Sequence, residues 1–340
     1  MTKPRALGLI ALVLALMAGV YVFSGHQPDP AALYFNRGNP VQDEALQPIV
    51  PLRKPGALRV DRIRLGQQLF SDARLSRDGT VSCASCHVLA AGGTDNRRVS
   101  VGIGGALGQV NAPSVLNSGL SFAQFWDGRA ATLELQAAGP IHNPAEMDSS
   151  WSQVVARLNE DAALRKGFQA AYSDGLTAQN IASALANFER SLVTVNSRFD
   201  RYLLGDSTAL TEDELSGYKR FRELGCSSCH QGVLIGGNMF QKFGVLGDYF
   251  ANRPMVVADL GRFNVTGREE DRHVFKVPSL RNVALTAPYF HDGSALTLAE
   301  AIQVMGRYQL GRDLEHEDVR LIVAFLNSLT APDLGSRVGE

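Results

Sequence analysis

Cys83-Ala84-Ser85-Cys86-His87 and Cys226-Ser227-Ser228-Cys229-His230 take up every cysteine of the chain. C-x-x-C-H is the attachment signal of c-type haem: two thiols form thioethers to the porphyrin vinyls and the adjacent histidine ligates the iron. With 4 cysteines and 7 histidines in 340 residues, composition alone yields about 0.001 such frames, so two do not arise by accident. No thiol is left for a disulfide or a thiolate nucleophile. Zinc knuckles and thioredoxin-like C-x-x-C motifs explain neither trailing histidine. The chain therefore carries two covalently bound haem c groups.

Outward from the two frames, one plan occurs twice. Val60–Phe70 has helical spacing, with Ile63, Leu65, Leu69 and Phe70 apolar, and a Gly79-Thr80 turn leads to the first frame. A Gly- and Ser-rich loop over 91–121 follows, then expected helices at 130–138, 151–159 and 178–195. Residues 207–210 read as the entry to a second half. Thr211 to Glu214 form a capping box that opens a helix leading to Cys226. A loop-rich stretch over 231–275 precedes expected helices at 298–305 and 316–329. Ala90-Ala91-Gly92-Gly93 after the first frame matches Leu234-Ile235-Gly236-Gly237 after the second. The expected fold is mainly α, with two cytochrome c-like domains, each holding one covalently bound haem c, facing across an interface. Their expected extents are 59–200 and 201–335.

The N-terminus has Lys3 and Arg5 before an uncharged, mostly apolar run over 6–23, long enough as a helix to cover about 27 Å, close to a bilayer core. Its exit, Ala18-Gly19-Val20-Tyr21-Val22-Phe23-Ser24, is a poor cleavage site. Segment 1–23 is thus expected to be an uncleaved inner-membrane anchor, with a removed signal peptide as the alternative. Both place the remainder in the periplasm. Proline-bearing 24–58 reads as a tether and lead-in. A formal charge of −1 leaves no nucleic-acid footprint.

The chemistry of each iron depends on its second axial position. A strong ligand closes an iron for electron transfer, whereas an open position binds peroxide or oxygen. The candidates are His26, His142, His273, His291 and His316, with Met147, Met239, Met255 and Met305. Met305, on an expected helix after the second frame, stands out, although spacing alone suits a core methionine equally. No histidine, methionine or lysine occurs between Val88 and Ile141, and His142 and Met147 are the next candidates downstream. One closed haem and one open haem are expected.

Further stretches carry a family resemblance: Leu75 to His87, Gly92-Gly93-Thr94-Asp95, Asn111-Ala112-Pro113, Phe125-Trp126-Asp127-Gly128-Arg129 and Gly139 to Met147. Phe275-Lys276-Val277-Pro278-Ser279-Leu280-Arg281-Asn282, Pro288-Tyr289-Phe290-His291-Asp292-Gly293 and Leu310-Gly311-Arg312 continue it. From about residue 60 to 330 the chain resembles bacterial dihaem cytochrome c peroxidases.

The resemblance implies that the His87 haem is the peroxide site and the His230 haem the high-potential entry point for electrons, closed by Met305. Gln136 and Glu146 match the pair lining the peroxide pocket. A carboxylate can move a proton between the peroxide oxygens, and an amide can hold developing charge. Trp126 matches the tryptophan between the haems. Asn111, by side chain, and Thr286 and Pro288, by carbonyl, match a calcium site between the domains, reasonable for an oxygen-preferring ion. Where many relatives place a displaceable histidine on the peroxide iron, this chain has Ile103, which cannot ligate, so no reductive activation is expected. The implied partners are hydrogen peroxide and a small cytochrome c or cupredoxin donor, with quinol a further candidate because of the anchor. A homodimer is in keeping with the family. The alternative is a MauG-like oxidase of partner-protein side chains: the absent histidine favours it, and Met305 in place of its tyrosine ligand opposes it. Tyr308, one helical turn on, is a competing ligand. A pure electron carrier would need both irons closed.

Overall fold

The computed structural model describes residues 48–334; the apolar run over 6–23 and the lead-in up to residue 47 lie outside the described residues. Helices α1 (Val60–Phe70), α2 (Leu133–His142), α3 (Trp151–Leu158), α4 (Ala162–Ala171) and α5 (Ala178–Ser191) build the first half. Helices α6 (Arg198–Leu203), α7 (Glu212–Glu223), α8 (Leu298–Gln309) and α9 (His316–Ser328) build the second. Within the loop-rich stretch a short antiparallel pair forms between β1 (Phe240–Lys242) and β2 (Val274–Lys276), with Phe240 opposite Lys276.

Capping chemistry sets where the helices start. Thr132 accepts from the Leu135 amide, so α2 begins at Leu133 rather than 130, and it continues through Pro140 to His142. Thr211 and Glu214 form the expected box at the head of α7. Helices α4 and α6 go beyond the expected set. Asp161 accepts from the Ala163 and Leu164 amides while Leu164, Phe168 and Ala171 turn inward, and Ser197 and Asp200 cap one another. Helix α6 has six residues, so its cap outweighs a weak periodic signal, whereas α4 combines its cap with a clear apolar face.

The duplication is visible in two helix crossings. Where α1 crosses α5, a Cβ on Gly66 would lie 2.0 Å from the Ala184 carbonyl oxygen. Where α7 crosses α9, a Cβ on Gly217 would lie 1.9 Å from that of Leu321. Only glycine permits so close a backbone approach. Four residues beyond each glycine a phenylalanine bridges the crossing to the haem frame. Phe70 packs against Phe188 at 5.1 Å and His87 at 6.5 Å. Phe221 packs against Phe325 at 5.2 Å and His230 at 6.3 Å.

Each crossing has its own core. One cluster runs from Ile63 to Leu192, with Leu69, Phe168 and Phe188 buried. The other gathers Ile49, Phe199, Phe221, Phe325 and Leu329. A third, smaller cluster of Phe243, Phe250 and Phe275 has Trp126 and Met305 packed against it, which places it where the halves meet. Polar ties cross the same seam. Asn117 and Asn282 both donate through Nδ2 to Thr194 Oγ1, each at 2.8 Å. Within the second half Arg281 pairs with Asp200 of α6 at 2.7 Å, both fully buried, and also donates to the Val50 carbonyl at 3.1 Å. These bonds anchor the start of the described chain to the second half.

Candidate functional site

The first frame forms a single helical turn, Cys83–Cys86, capped by reciprocal bonds between Ser82 and Ser85. His87 follows with Nδ1 3.1 Å from the Gly93 carbonyl oxygen. In the second frame His230 Nδ1 lies 3.3 Å from the Ile235 carbonyl oxygen. A carbonyl only accepts, so Nδ1 carries the proton in both rings and Nε2 is left as the ligand atom. Burial pushes both imidazoles below their ordinary range, His230 down to about 4, which keeps them neutral as a metal requires. Burial also pushes the Cys83 thiol up to about 12 and that of Cys226 to about 11. These are not reactive thiolates.

The residues fit the implied cofactors. All four thiols are free and partly accessible. In the second half, Cys226, Cys229, His230 and Met305 border one cavity of about 440 Å³, within the 300–1,000 Å³ usual for cofactor sites. Tyr308 is not part of that wall; its ring meets Tyr249 at 5.2 Å, edge to face. In the first half the Thr94 hydroxyl, beside Gly93, is buried without a partner. An orphaned polar atom at a haem frame suits a group that would satisfy it.

Asn111, Trp126, Thr286 and Pro288 border the same cavity. Trp126 Nε1 donates to the Asn111 carbonyl at 2.9 Å, and the Lys276 amide donates to the Trp126 carbonyl at 2.8 Å. Asn111 in turn takes the His291 carbonyl through its amide at 2.8 Å. The tryptophan is thus fixed to both halves at once. Asn111 Nδ2 donates to the Arg97 carbonyl at 2.8 Å, so Oδ1 is the atom free for a cation. An amide oxygen and carbonyls are a donor set that calcium accepts.

Gln136 and Glu146 sit on α2 and on the turn that closes it. Gly139 allows α2 to press against Phe125, where a Cβ would come within 2.7 Å of the ring; Phe125 precedes Trp126 in the chain. Both side chains are half-buried. Among the described residues no hydrogen bond joins them. Asn143 Nδ2 holds Glu146 Oε1 at 2.6 Å. Burial nonetheless lifts the Glu146 carboxyl above its ordinary range, against the Asn143 hydrogen bond and the Arg129 charge. The field of Glu146 reaches the Cys86 thiol, so the carboxyl belongs to the first frame. The Ile103 amide donates to the Glu146 carbonyl at 2.8 Å, and Ile103 is 5% exposed. Gly102 lies against the Ala145 and Glu146 backbone with no room for a Cβ. The Ile103 loop is therefore seated on the Glu146 turn. His142 is exposed, with its ring edge-on to Trp151 at 5.9 Å.

Sequence reasoning missed Asn143, the carbonyls of Gly93 and Ile235, and Glu189. Backbone carbonyls carry no residue signature, and Asn143 was hidden among turn residues. Glu189, on α5, is buried within reach of Ser118 and raises the Cys83 thiol. Burial pushes its carboxyl up to about 7. A raised acid contributes stability that is complete below its unfolded value and is lost as pH rises through the folded one. Wild type should therefore lose stability relative to Glu189→Gln between about pH 4.5 and 7, by on the order of 3 kcal/mol at about 1.36 kcal/mol per unit. Urea denaturation of both haem-loaded proteins at about pH 5 and 8 measures this; a constant difference would refute it.

The di-haem cytochrome c peroxidase family model matches residues 60–208. The chain is 46% identical over 299 residues to cytochrome c peroxidase Ccp of Escherichia coli (strain K12), an alignment covering 88% of this chain but 64% of that protein. It is 47% identical over 303 residues to cytochrome c551 peroxidase of Nitrosomonas europaea, covering 88% of each. Its fold is similar to the crystal structure of a MauG-like protein associated with microbial copper homeostasis, at 32% identity and a TM-score of 0.74, covering 89% of this chain and 97% of that one.

Proposed function

The chain belongs to the dihaem cytochrome c peroxidase family, and on that premise we propose that it reduces hydrogen peroxide at the His87 haem with electrons entering at the His230–Met305 haem. Bound at the two frames, the haems supply the redox chemistry of H2O2 + 2 H⁺ + 2 e⁻ → 2 H2O. The observation that carries the reading is the Ile103–Glu146 contact: the backbone of a residue that cannot ligate iron is seated on the turn that carries Glu146, whose carboxyl is raised by burial.

Glu146 has the properties of a proton carrier. Burial lifts its carboxyl above the ordinary range, which favours the protonated form, and Asn143 fixes Oε1 so that Oε2 is the atom left to act. Gln136, half-buried on α2, is assigned the amide of the pair. Trp126, held between Asn111 and Lys276, has its indole on the wall of the second cavity and is assigned the passage of electrons between halves. Asn111 Oδ1 with the Thr286 and Pro288 carbonyls is the assigned calcium site. Met305 bordering the cavity, with Tyr308 outside it, favours peroxide reduction over MauG-like oxidation of a partner.

The two cores support haem domains over 59–200 and 201–335. A small cytochrome c or cupredoxin is the proposed donor, with quinol as the alternative. The C-x-x-C-H frames and the apolar run over 6–23 support a periplasmic location at the inner membrane.

Ile103 makes the test specific. The fully oxidised enzyme, never pre-reduced, should consume peroxide from the first turnover when a reduced small cytochrome c is supplied, and its ferric spectrum should contain one high-spin haem. Two low-spin ferric haems, or a lag removed by pre-reduction, would overturn the open-site reading.

A further inference from the structure

The wall of the second cavity is electrostatically one-sided. Its lining residues include three cations, Lys242, Lys276 and Arg281, and no aspartate or glutamate. Arg281 is neutralised by Asp200 at 2.7 Å. Lys242 is exposed to solvent. Lys276 has neither remedy. It stands on β2 between the buried Phe275 and Val277, with its backbone amide fixed to the Trp126 carbonyl. Its Nζ reaches across to the first half, where the Ser121 hydroxyl lies at 3.2 Å, and Ser121 in turn donates to the Gly237 carbonyl at 3.2 Å.

A neutral hydroxyl does not compensate an enclosed ammonium. Lys276 retains some accessible surface, but the space it borders is the cavity rather than bulk solvent. Burial pushes its amine down to about 8, and no acid acts in the other direction. An enclosed cation facing a cavity without acids needs an anion supplied by whatever fills that cavity. Haem brings two propionate carboxylates.

We propose that Lys276 is the counter-charge for a propionate of the haem held by His230 and Met305, and that its charge helps keep that haem at high potential. The proposal rests on the reading that this cavity holds the second haem. A fixed positive charge near the ring disfavours the oxidised state, which carries the extra positive charge, and so raises the midpoint. Ser121 and the Trp126 carbonyl act as positioning groups, since they hold the lysine on the seam rather than letting it reach solvent. The device links the potential of the electron-entry haem to the contact between halves.

The test is a redox titration of the haem-loaded wild type, Lys276→Gln and Lys276→Arg, followed at the absorbance of the Met-ligated haem. The Gln variant should show a lower midpoint for that haem and an unchanged one for the other, while Arg retains the wild-type value. An unchanged midpoint in the Gln variant, with both haems bound, overturns the proposal. A crystal structure of the wild-type holoprotein decides independently of any folding defect. Lys276 Nζ should lie at about 2.7–2.9 Å from a propionate oxygen; no carboxylate within about 4 Å overturns it. A pyridine haemochrome count below two haems in wild type would sink the cofactor reading itself, and is distinguishable from failure of the lysine assignment alone.

Discussion

Glu146→Gln should lower kcat/KM for peroxide by about 10²–10⁴-fold, the usual contribution of a positioned general acid–base group. The substitution keeps the shape and the Asn143 contact available to Oε1 but removes the exchangeable proton. Its fold cost should be small, because the backbone bond from Ile103 to Glu146 does not involve the side chain. Haem content and the ferric spectrum should stay as in wild type, which separates lost proton transfer from a collapsed site. Because burial raises the wild-type carboxyl, the acid limb of its pH–rate profile should lie above that of an exposed glutamate and vanish in the variant. Unchanged turnover with peroxide would remove Glu146 from the reaction and leave Gln136 as the group to test.

Met305→His should be the second large effect. Exchanging thioether for imidazole leaves the second haem low-spin but lowers its midpoint, on the order of 0.3 V within the roughly 0.8 V over which axial ligands set haem potentials. Electron entry from a small cytochrome c then becomes uphill, and steady-state turnover should fall at least about tenfold, with peroxide binding at the first haem unaltered. The position suits the exchange: Met305 is packed against the Phe243, Phe250 and Phe275 cluster and borders the cavity with His230. A midpoint equal to wild type would show that another side chain completes that iron. Tyr308→Phe, a change on the face that meets Tyr249, should leave the potential unaltered.

Some of this was legible without coordinates because it depends on covalent chemistry or local spacing. A haem frame needs two thiols three apart and a histidine beside them, so five consecutive residues suffice. Helix α1 has the bounds its periodicity predicts, and the box at Thr211 forms as its four residues dictate. Asp161 and Ser197 were equally local caps; the six-residue helix after Ser197 is too short for its apolar positions to register as a period, whereas Leu164, Phe168 and Ala171 after Asp161 were a legible one.

The sequence by itself determined two haem frames, a duplicated helical plan and the absence of any histidine, methionine or lysine after the first frame until His142. Only the tertiary structure decided which of two neighbours on α8 borders the cavity. Met305 and Tyr308 differ by one turn, and the rotation of that helix is set by its contacts with α9 and the aromatic cluster. The same holds for Trp126, whose indole is fixed by carbonyl and amide groups from residues 15 and 150 positions away. It holds too for Lys276, which becomes an uncompensated cation only once the fold surrounds it with a wall that has no acid. Spacing specifies what a residue can bond to nearby. Burial and long-range packing specify which of those groups share one enclosed space, and that was decided by the meeting of the two halves.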